Sequence, residues 1–235
     1  MNIIITGASS GVGFEAALEL IKDSNNTVVA IARNIDKLKR LNQIAKDLNP
    51  SAKLLPVQFD IVEGAYEEGL IPFLNHHLTG PIDVLINNAG VLINKPFKDQ
   101  SDDDWMQMFQ TNVMGHVRMI RSLLPYFNNP SHILNIGSMG GFQGSEKFNG
   151  LSSYSASKAA LHIITECLAE EFKDLGINVN ALALGSAQTE MLEQAFPGYQ
   201  SPVMAFEMGK YIADFAVSGH TFFNGKILPV AKKTP

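Results

Sequence analysis

The 235-residue chain is short of cysteine, of charge and of long apolar runs. Its single cysteine, Cys167, cannot form an internal disulfide, which suits a reducing compartment. No apolar stretch is long enough to cross a bilayer, so a soluble protein without a membrane partner is expected. Lysine and arginine together number 18 against 23 acidic residues, a net charge of −5, and they do not cluster. That balance excludes a basic nucleic-acid surface. His76 and His77 have no cysteine, histidine or carboxylate at ligand spacing, so no metal site is expected. Asn25-Asn26-Thr27 reads as a turn rather than a glycosylation site, because the first strand begins almost at Met1 and leaves no room for a signal peptide. These absences together point to a cytoplasmic protein that handles small molecules. No repeat, low-complexity stretch or linker divides the chain, and at this length one core is the expectation, a single domain over 1–235.

What is present is an alternation of short apolar runs with amphipathic ones. Asn2 to Thr6 reads as a strand, Gly7-Ala8-Ser9-Ser10-Gly11-Val12-Gly13 as a glycine turn, and Phe14 to Lys22 as a helix. Between strand and helix, such a turn lets a pyrophosphate reach backbone N–H groups where the helix dipole favours negative charge. Gly7, Ser9, Ser10, Gly11, Val12 and Gly13 are therefore candidate phosphate contacts. Thr27 to Ala32 is a second strand. Where dinucleotide-binding units place an acid for the adenosine ribose, this chain has Ala32 followed by Arg33. No carboxylate repels a 2′-phosphate there, and a guanidinium is available to bind one, so NADP(H) is expected over NAD(H). Asn34 caps a helix over Ile35 to Leu48.

A third strand, Lys53 to Phe59, ends at Asp60-Ile61, where the carboxylate suits either an adenine amino group or the cap of a helix. The crossover that follows contains Gly64, Gly69 and Pro72 and is a poor helix by propensity. Ile82 to Ile86 then runs into Asn87-Asn88-Ala89-Gly90, two amides to brace a turn and two small residues to admit a flat ring. From Ser101 a long helix is expected to about Tyr126, with Asn112 and Gly115 as unfavourable mid-helix residues that hint at a kink. His132 to Ile136 is a fifth strand topped by Ser138.

Tyr154 and Lys158 follow on one face of a helix that extends to Phe172. An ammonium held near a phenol favours the phenolate, so a lowered Tyr154 pKa is the expectation. His162 and Cys167 of the same helix read as packing residues. Ile177 to Leu184 is a sixth strand leading to Gly185 and Thr189. The apolar stretch near 186–210 reads as a substrate lid in preference to a subunit contact, which the same side chains would also suit. A helix over Ala205 to Val217, a strand over Thr221 to Leu228 and a tail over Ala231 to Pro235 complete the chain.

In this order the motifs Thr6-Gly7-x-x-x-Gly11-x-Gly13, Asn87-Asn88-Ala89-Gly90, Asn112, Ser138 and Tyr154-x-x-x-Lys158 resemble the short-chain dehydrogenase/reductase family along nearly the whole chain. The resemblance implies a Rossmann-type, doubly wound α/β fold with a seven-stranded parallel sheet in order 3-2-1-4-5-6-7. It also implies a catalytic set of Asn112, Ser138, Tyr154 and Lys158. Tyr154 would exchange a proton with the carbonyl or alcohol oxygen and Ser138 would hold that oxygen. Lys158 would bind the nicotinamide ribose, and Asn112 would hold a water linking Lys158 to solvent. Asp60, Ile61, Asn88, Ala89, Gly90, Gly185 and Thr189 join the glycine loop, Arg33, Tyr154 and Lys158 as expected coenzyme contacts. A homodimer or homotetramer follows from the same likeness. Two departures stand out: Leu184-Gly185 replaces the family's common Pro-Gly, and Phe223-Asn224-Gly225 replaces its common Asp-Gly-Gly ending.

The reading reached from residues and resemblance is an NADP(H)-dependent oxidoreductase for a small, mostly apolar carbonyl or secondary alcohol, such as a ketone or a 3-oxoacyl compound. Phe142, Phe148 and the lid residues motivate the apolar substrate. A catalytically silent NADP-binding redox sensor or scaffold is the alternative, and the intact catalytic set argues against it. An epimerase of related fold would need a larger substrate domain than the residues after Gly185 provide.

Overall fold

The computed structural model describes residues 1–232. Seven strands, β1 (Asn2–Thr6), β2 (Thr27–Ala32), β3 (Lys53–Gln58), β4 (Ile82–Asn87), β5 (Phe127–Ser138), β6 (Ile177–Leu184) and β7 (Ile227–Val230), form one sheet. Its order is β3-β2-β1-β4-β5-β6-β7, and every pairing is parallel. Parallel strands buried on both faces need near-continuous apolar runs, which is what Ile3-Ile4-Ile5 and Val28-Val29-Ala30-Ile31 supply. Alternate residues serve opposite cores. Ile3 and Ile5 join Ala16, Leu20, Leu41 and Ile212 on one face, while Ile4 joins Leu74, Ile120 and Phe172 on the other.

The first face is covered by α1 (Gly11–Leu20), α2 (Ile35–Leu48) and α8 (Ala205–Ser218). The second carries α3 (Ile71–His77), α4 (Asp102–Phe109), α5 (Gly115–Leu123) and α6 (Ser152–Glu171), and a short helix α7 (Glu190–Ala195) follows β6. Among the described residues no helix is long and apolar enough to cross a membrane. The chain reverses direction across the sheet between β1 and β4, and the crevice beyond their carboxyl ends is where such sheets bind ligands.

Several boundaries differ from the sequence reading. Helix α1 begins at Gly11 rather than Phe14, so the second and third glycines are its first turn. The crossover does form a helix: a π turn over Tyr66–Leu70 leads into α3, with Pro72 in the first turn where its missing N–H costs nothing. The long helix after Ser101 is broken at Gln110–Met114 by another π turn, which carries Asn112. Strand β5 starts five residues early, at Phe127. Strand β7 starts at Ile227 because residues 219–221 form a 3₁₀ turn. Cys167 is exposed rather than packed. Of the expected tail, residues 233–235 lie outside the described residues.

Candidate active site

The loops after β1 and β4 are stitched to each other. Thr6 Oγ1 accepts the N–H groups of Asn88 and Ala89, both at 3.0 Å, and Asn88 Nδ2 donates to the carbonyls of Thr6 at 3.0 Å and Gly7 at 3.2 Å. Gly7 and Gly11 turn with φ of +68° and +60°, a region that favours glycine. Gly13 is required by contact, because a Cβ there would lie 2.1 Å from Asn88 Nδ2.

At the start of α1, Ser10 has extended backbone and makes no side-chain capping bond. The first N–H groups of a helix have no intrahelical acceptor, so this uncapped turn presents free donors to the cleft that Ser9, Ser10, Gly11, Val12 and Gly13 line. The cleft has a volume of about 1120 Å³ and runs from Arg33 to Tyr154. Its glycine floor, open donors and length fit a dinucleotide with its pyrophosphate on α1.

At the adenosine end, Ala32, Arg33, Asp60 and Ile61 border the same cleft. Arg33 is exposed, and its guanidinium stands 3.9 Å from the Asp60 carboxylate. Asp60 does not cap a helix: its Oδ1 accepts the Val62 N–H at 2.8 Å and braces a turn. That turn is held from α5, where Arg118 Nη1 donates to the Val62 carbonyl at 2.7 Å. Tyr66 donates its hydroxyl to the Ile61 carbonyl at 2.8 Å. Gly115 has its reason here, since a Cβ would meet Ile61 Cδ1 at 2.7 Å. Nothing in the local sequence announced these braces: Arg118 is 56 residues from Val62, and the Tyr66 hydroxyl, besides reaching Ile61, approaches the Gly115 carbonyl at 3.5 Å across 49 residues.

At the other end, Ser138, Tyr154, Lys158 and Asn112 converge. A Cβ at Gly140 would lie 3.5 Å from Ser138 Oγ and 3.8 Å from Tyr154 Cε1; one at Gly90 would lie 3.2 Å from Asn112 Oδ1 and 3.6 Å from Lys158 Nζ. Lys158 Nζ donates to the Ile136 carbonyl at 2.8 Å and sits 6.0 Å from the Tyr154 ring centre. Asn112 is fully buried. Its Oδ1 accepts from Val91 N at 2.9 Å, and its Nδ2 donates to Val91 O and Ser157 Oγ, each at 3.0 Å. The side chain therefore anchors the loop after β4. The π turn explains how a polar residue came to be in mid-helix, facing the site.

The electrostatics of the pair differ from expectation. Burial pushes the Tyr154 phenol above its ordinary value, opposed by the neighbouring Ser138 hydroxyl, while burial lowers the Lys158 ammonium to about 8. The cost of burying charge outweighs the attraction of a lysine 6.0 Å from the ring centre. At neutral pH the phenol keeps its proton.

After β6, Gly185 donates its N–H to Val230 O at 2.9 Å. Thr189 caps α7, accepting from Leu192 N at 3.2 Å, and its Cγ2 would be 3.3 Å from a Cβ on Gly11. Helix α7 reaches both walls of the cleft. Glu190 pairs with Lys37 of α2 at 2.6 Å, and the Ala195 carbonyl accepts from Asn94 Nδ2 at 2.8 Å. Met191, Leu192, Phe196 and Tyr199 of this segment line the cleft with Leu92, Phe148 and Leu151. Every coenzyme and catalytic candidate except Asn112 borders the same opening, and Asn112 lies directly behind Gly90. Val62, Val91, Leu92, Thr111 and Glu146 also line it without having been singled out; the first four lie within two residues of an expected site position, whereas Glu146 is eight from both Ser138 and Tyr154. Among the described residues no three histidine, cysteine or acidic side chains gather in a way that would hold a metal ion.

The family model for short chain dehydrogenases matches residues 1–200. An uncharacterized oxidoreductase of Staphylococcus epidermidis is 33% identical over 192 residues, 81% of this chain and 79% of the relative. The NADP-dependent 3-hydroxy acid dehydrogenase of Schizosaccharomyces pombe is 35% identical over 202 residues, 84% of this chain and 75% of the relative. In structure, the 3-ketoacyl-(acyl-carrier-protein) reductase of Brucella melitensis complexed with NADH superposes with a TM-score of 0.85 at 24% identity, over 97% of this chain and 96% of that one.

Proposed function

The chain belongs to the short-chain dehydrogenase family of oxidoreductases, and on that premise we propose that it is an NADP(H)-dependent reductase of small, mostly apolar ketones or 3-oxoacyl compounds. The observation that carries the reading is the convergence of Ser138 and Tyr154 around Gly140, at the inner end of a cleft whose outer end is Arg33. When bound, the nicotinamide supplies or accepts the hydride.

Every other role falls to this chain's side chains. Ser138 and Tyr154 hold the substrate oxygen, and the protonated phenol is the state that can donate to an alkoxide as it forms, which favours reduction. Lys158, buried and fixed on Ile136 O, offers its remaining donors to the ribose and supplies positive charge behind the phenol. Asn112 keeps the loop after β4 at the depth that Lys158 needs. The uncapped turn of α1 binds the pyrophosphate, and Asp60 and Ile61 border the adenine.

NADP(H) over NAD(H) is supported by Arg33 at the end of β2, by the lack of an acid at Ala32, and by the NADP-dependent relative. The apolar substrate is supported by Leu92, Phe148, Leu192 and Phe196 around the inner cleft. A homodimer or homotetramer is supported by Met106 on α4 and Ile163 on α6, which are 55% and 60% exposed on the two helices expected to meet symmetry mates.

The test is NADPH oxidation across a panel of ketones by the protein and by Tyr154→Phe. The reading expects turnover that falls about 10²- to 10⁴-fold in the variant while coenzyme still binds. Equal inertness of both proteins, with coenzyme bound, would instead favour the silent-sensor reading. Arg33→Ala should weaken NADPH far more than NADH, and equal losses would refute the coenzyme preference.

A further inference from the structure

Helix α6 meets the end of β5 residue by residue. Four consecutive strand positions each contact one residue of the helix. Asn135 Nδ2 donates to Thr165 Oγ1 at 2.9 Å, the Ile136 carbonyl accepts from Lys158 Nζ at 2.8 Å, Gly137 faces His162, and Ser138 comes beside Tyr154 around Gly140. Two of these contacts are hydrogen bonds. That of Gly137 against His162 is a contact of shape.

His162 stands one turn beyond Lys158 and is 4% exposed. A Cβ at Gly137 would lie 2.0 Å from its Nε2, 2.7 Å from Cδ2 and 3.2 Å from Cε1, so the edge of the ring rests on the bare backbone of residue 137. Nε2 has no hydrogen-bond partner among the described residues. An unpaired buried nitrogen is a cost that an aliphatic side chain would avoid, so it must be offset by the fit of the flat ring against residue 137. Gly141, the residue that ends the short turn carrying Ser138, is pressed onto α6 as well, where a Cβ would be 2.5 Å from Ala159 N. Helix α6 thus touches both ends of the turn over 137–141, through the His162 ring at Gly137 and through its own backbone at Gly141, with Ser138 between them.

We propose that His162 is a positioning residue: its ring is the spacer that sets how deeply α6 docks on the end of β5, and through that depth the separation of Ser138 from Tyr154. The inference rests on the proposed roles of Ser138 and Tyr154. Gly137 and His162 are then a matched pair, the absent side chain making room for the ring. The ring does not touch substrate or coenzyme, so coenzyme affinity should be indifferent to it.

The test is a cavity exchange. His162→Ala removes the spacer and should lower kcat about 10- to 100-fold, since misplacement by about 1 Å is enough for that loss. Coenzyme dissociation constants should stay within about twofold. Adding Gly137→Ala to His162→Ala returns bulk from the strand side and should recover about tenfold in kcat, the sign of a coupled pair. Crystal structures of the coenzyme-free variants read the separation directly: Ser138 Oγ to Tyr154 Oη should change in His162→Ala and return toward its original value in the double variant. This readout needs no substrate, so it decides the inference even if no ketone is turned over by the parent. An unchanged separation, or a kcat within about twofold of the parent, overturns the proposal. So does a loss of kcat that tracks thermal stability with no recovery in the double variant.

Discussion

Three of the six histidines make the fold sensitive to mild acid. His116 and His132 are completely buried and His162 nearly so. Burial is the largest cause in each case, lowering the three to about 3, about 4 and about 4 in that order. Lys158 lowers His116 and His162 further, while the 2.8 Å contact of His132 Nδ1 with the Ala216 carbonyl partly offsets the fall at His132. A group whose folded pKa is depressed and whose charged form is the acid stays neutral in the fold and takes up its proton on unfolding. Its stabilising effect is complete above the unfolded value of about 6.5 and is lost as pH falls toward the folded value. At pH 5 each such ring favours the unfolded chain by about 2 kcal/mol relative to neutral pH, so three remove about 6 kcal/mol. Native domains have only about 5–15 kcal/mol in total. Urea unfolding at about pH 7.5, 6 and 5 should therefore show a loss of about 2 kcal/mol at the first step down and about 3.5 kcal/mol at the second, with a slope of about 4 kcal/mol per pH unit at the lower end. Calorimetry in buffers of different ionisation enthalpy should count two to three protons taken up on unfolding at about pH 5. A loss under about 2 kcal/mol between pH 7.5 and 5, or uptake of one proton or fewer, would refute the reasoning.

Three further outcomes are expected. Asn112→Ala leaves Val91 N, Val91 O and Ser157 Oγ without their partner, a loss of about 3–6 kcal/mol that scanning calorimetry should record as a fall in Tm of about 6–12 °C. Gly13→Ala places a methyl 2.1 Å from Asn88 Nδ2 and should both destabilise the fold by about 1–3 kcal/mol and weaken coenzyme binding, because the displaced amide is the stitch between the two loops; equilibrium unfolding and fluorescence titration check the two effects. Glu190→Gln removes an exposed ion pair and should cost less than about 1 kcal/mol, yet limited proteolysis should cut residues 190–200 faster, with the salt dependence of that cutting reduced.

The sheet was legible because parallel strands announce themselves by unbroken β-branched runs: β2, β6 and the amphipathic α2 fall at the expected residues. The crossover before β4 was harder, since Gly64, Gly69 and Pro72 weaken helix propensity and the segment is held instead by burial of Leu70, Ile71 and Leu74. Strand β7 was placed too early because Phe222 and Phe223 look like strand residues, whereas the bonds of both N–H groups to Gly219 O close a turn. At the site, motif spacing located residues that line the cleft, because the glycine loop, Asn88-Ala89-Gly90 and Ser138 lie at strand ends and Tyr154 and Lys158 begin the helix that follows one. Long-range braces such as Tyr66 and Arg118 left no local trace. The protonation of Tyr154 could not be read from its spacing to Lys158, because the deciding quantity is how far both groups are withdrawn from water.

The π turn at Gln110–Met114 has a consequence for how the gene can vary in length. A π turn holds one residue more than the α-helical turn it replaces, so a deletion within 110–114 can close to an α-helical turn with α4 and α5 still in register. A deletion within α5 has no such slack and would rotate everything after it by about 100°. Met119, Ile120 and Leu123 would then swing out of the core under β4 and β5. The π turn is thus the one place in this helix where the fold tolerates losing a codon, and the cost there falls on the site instead, because a shifted Asn112 would lose Val91.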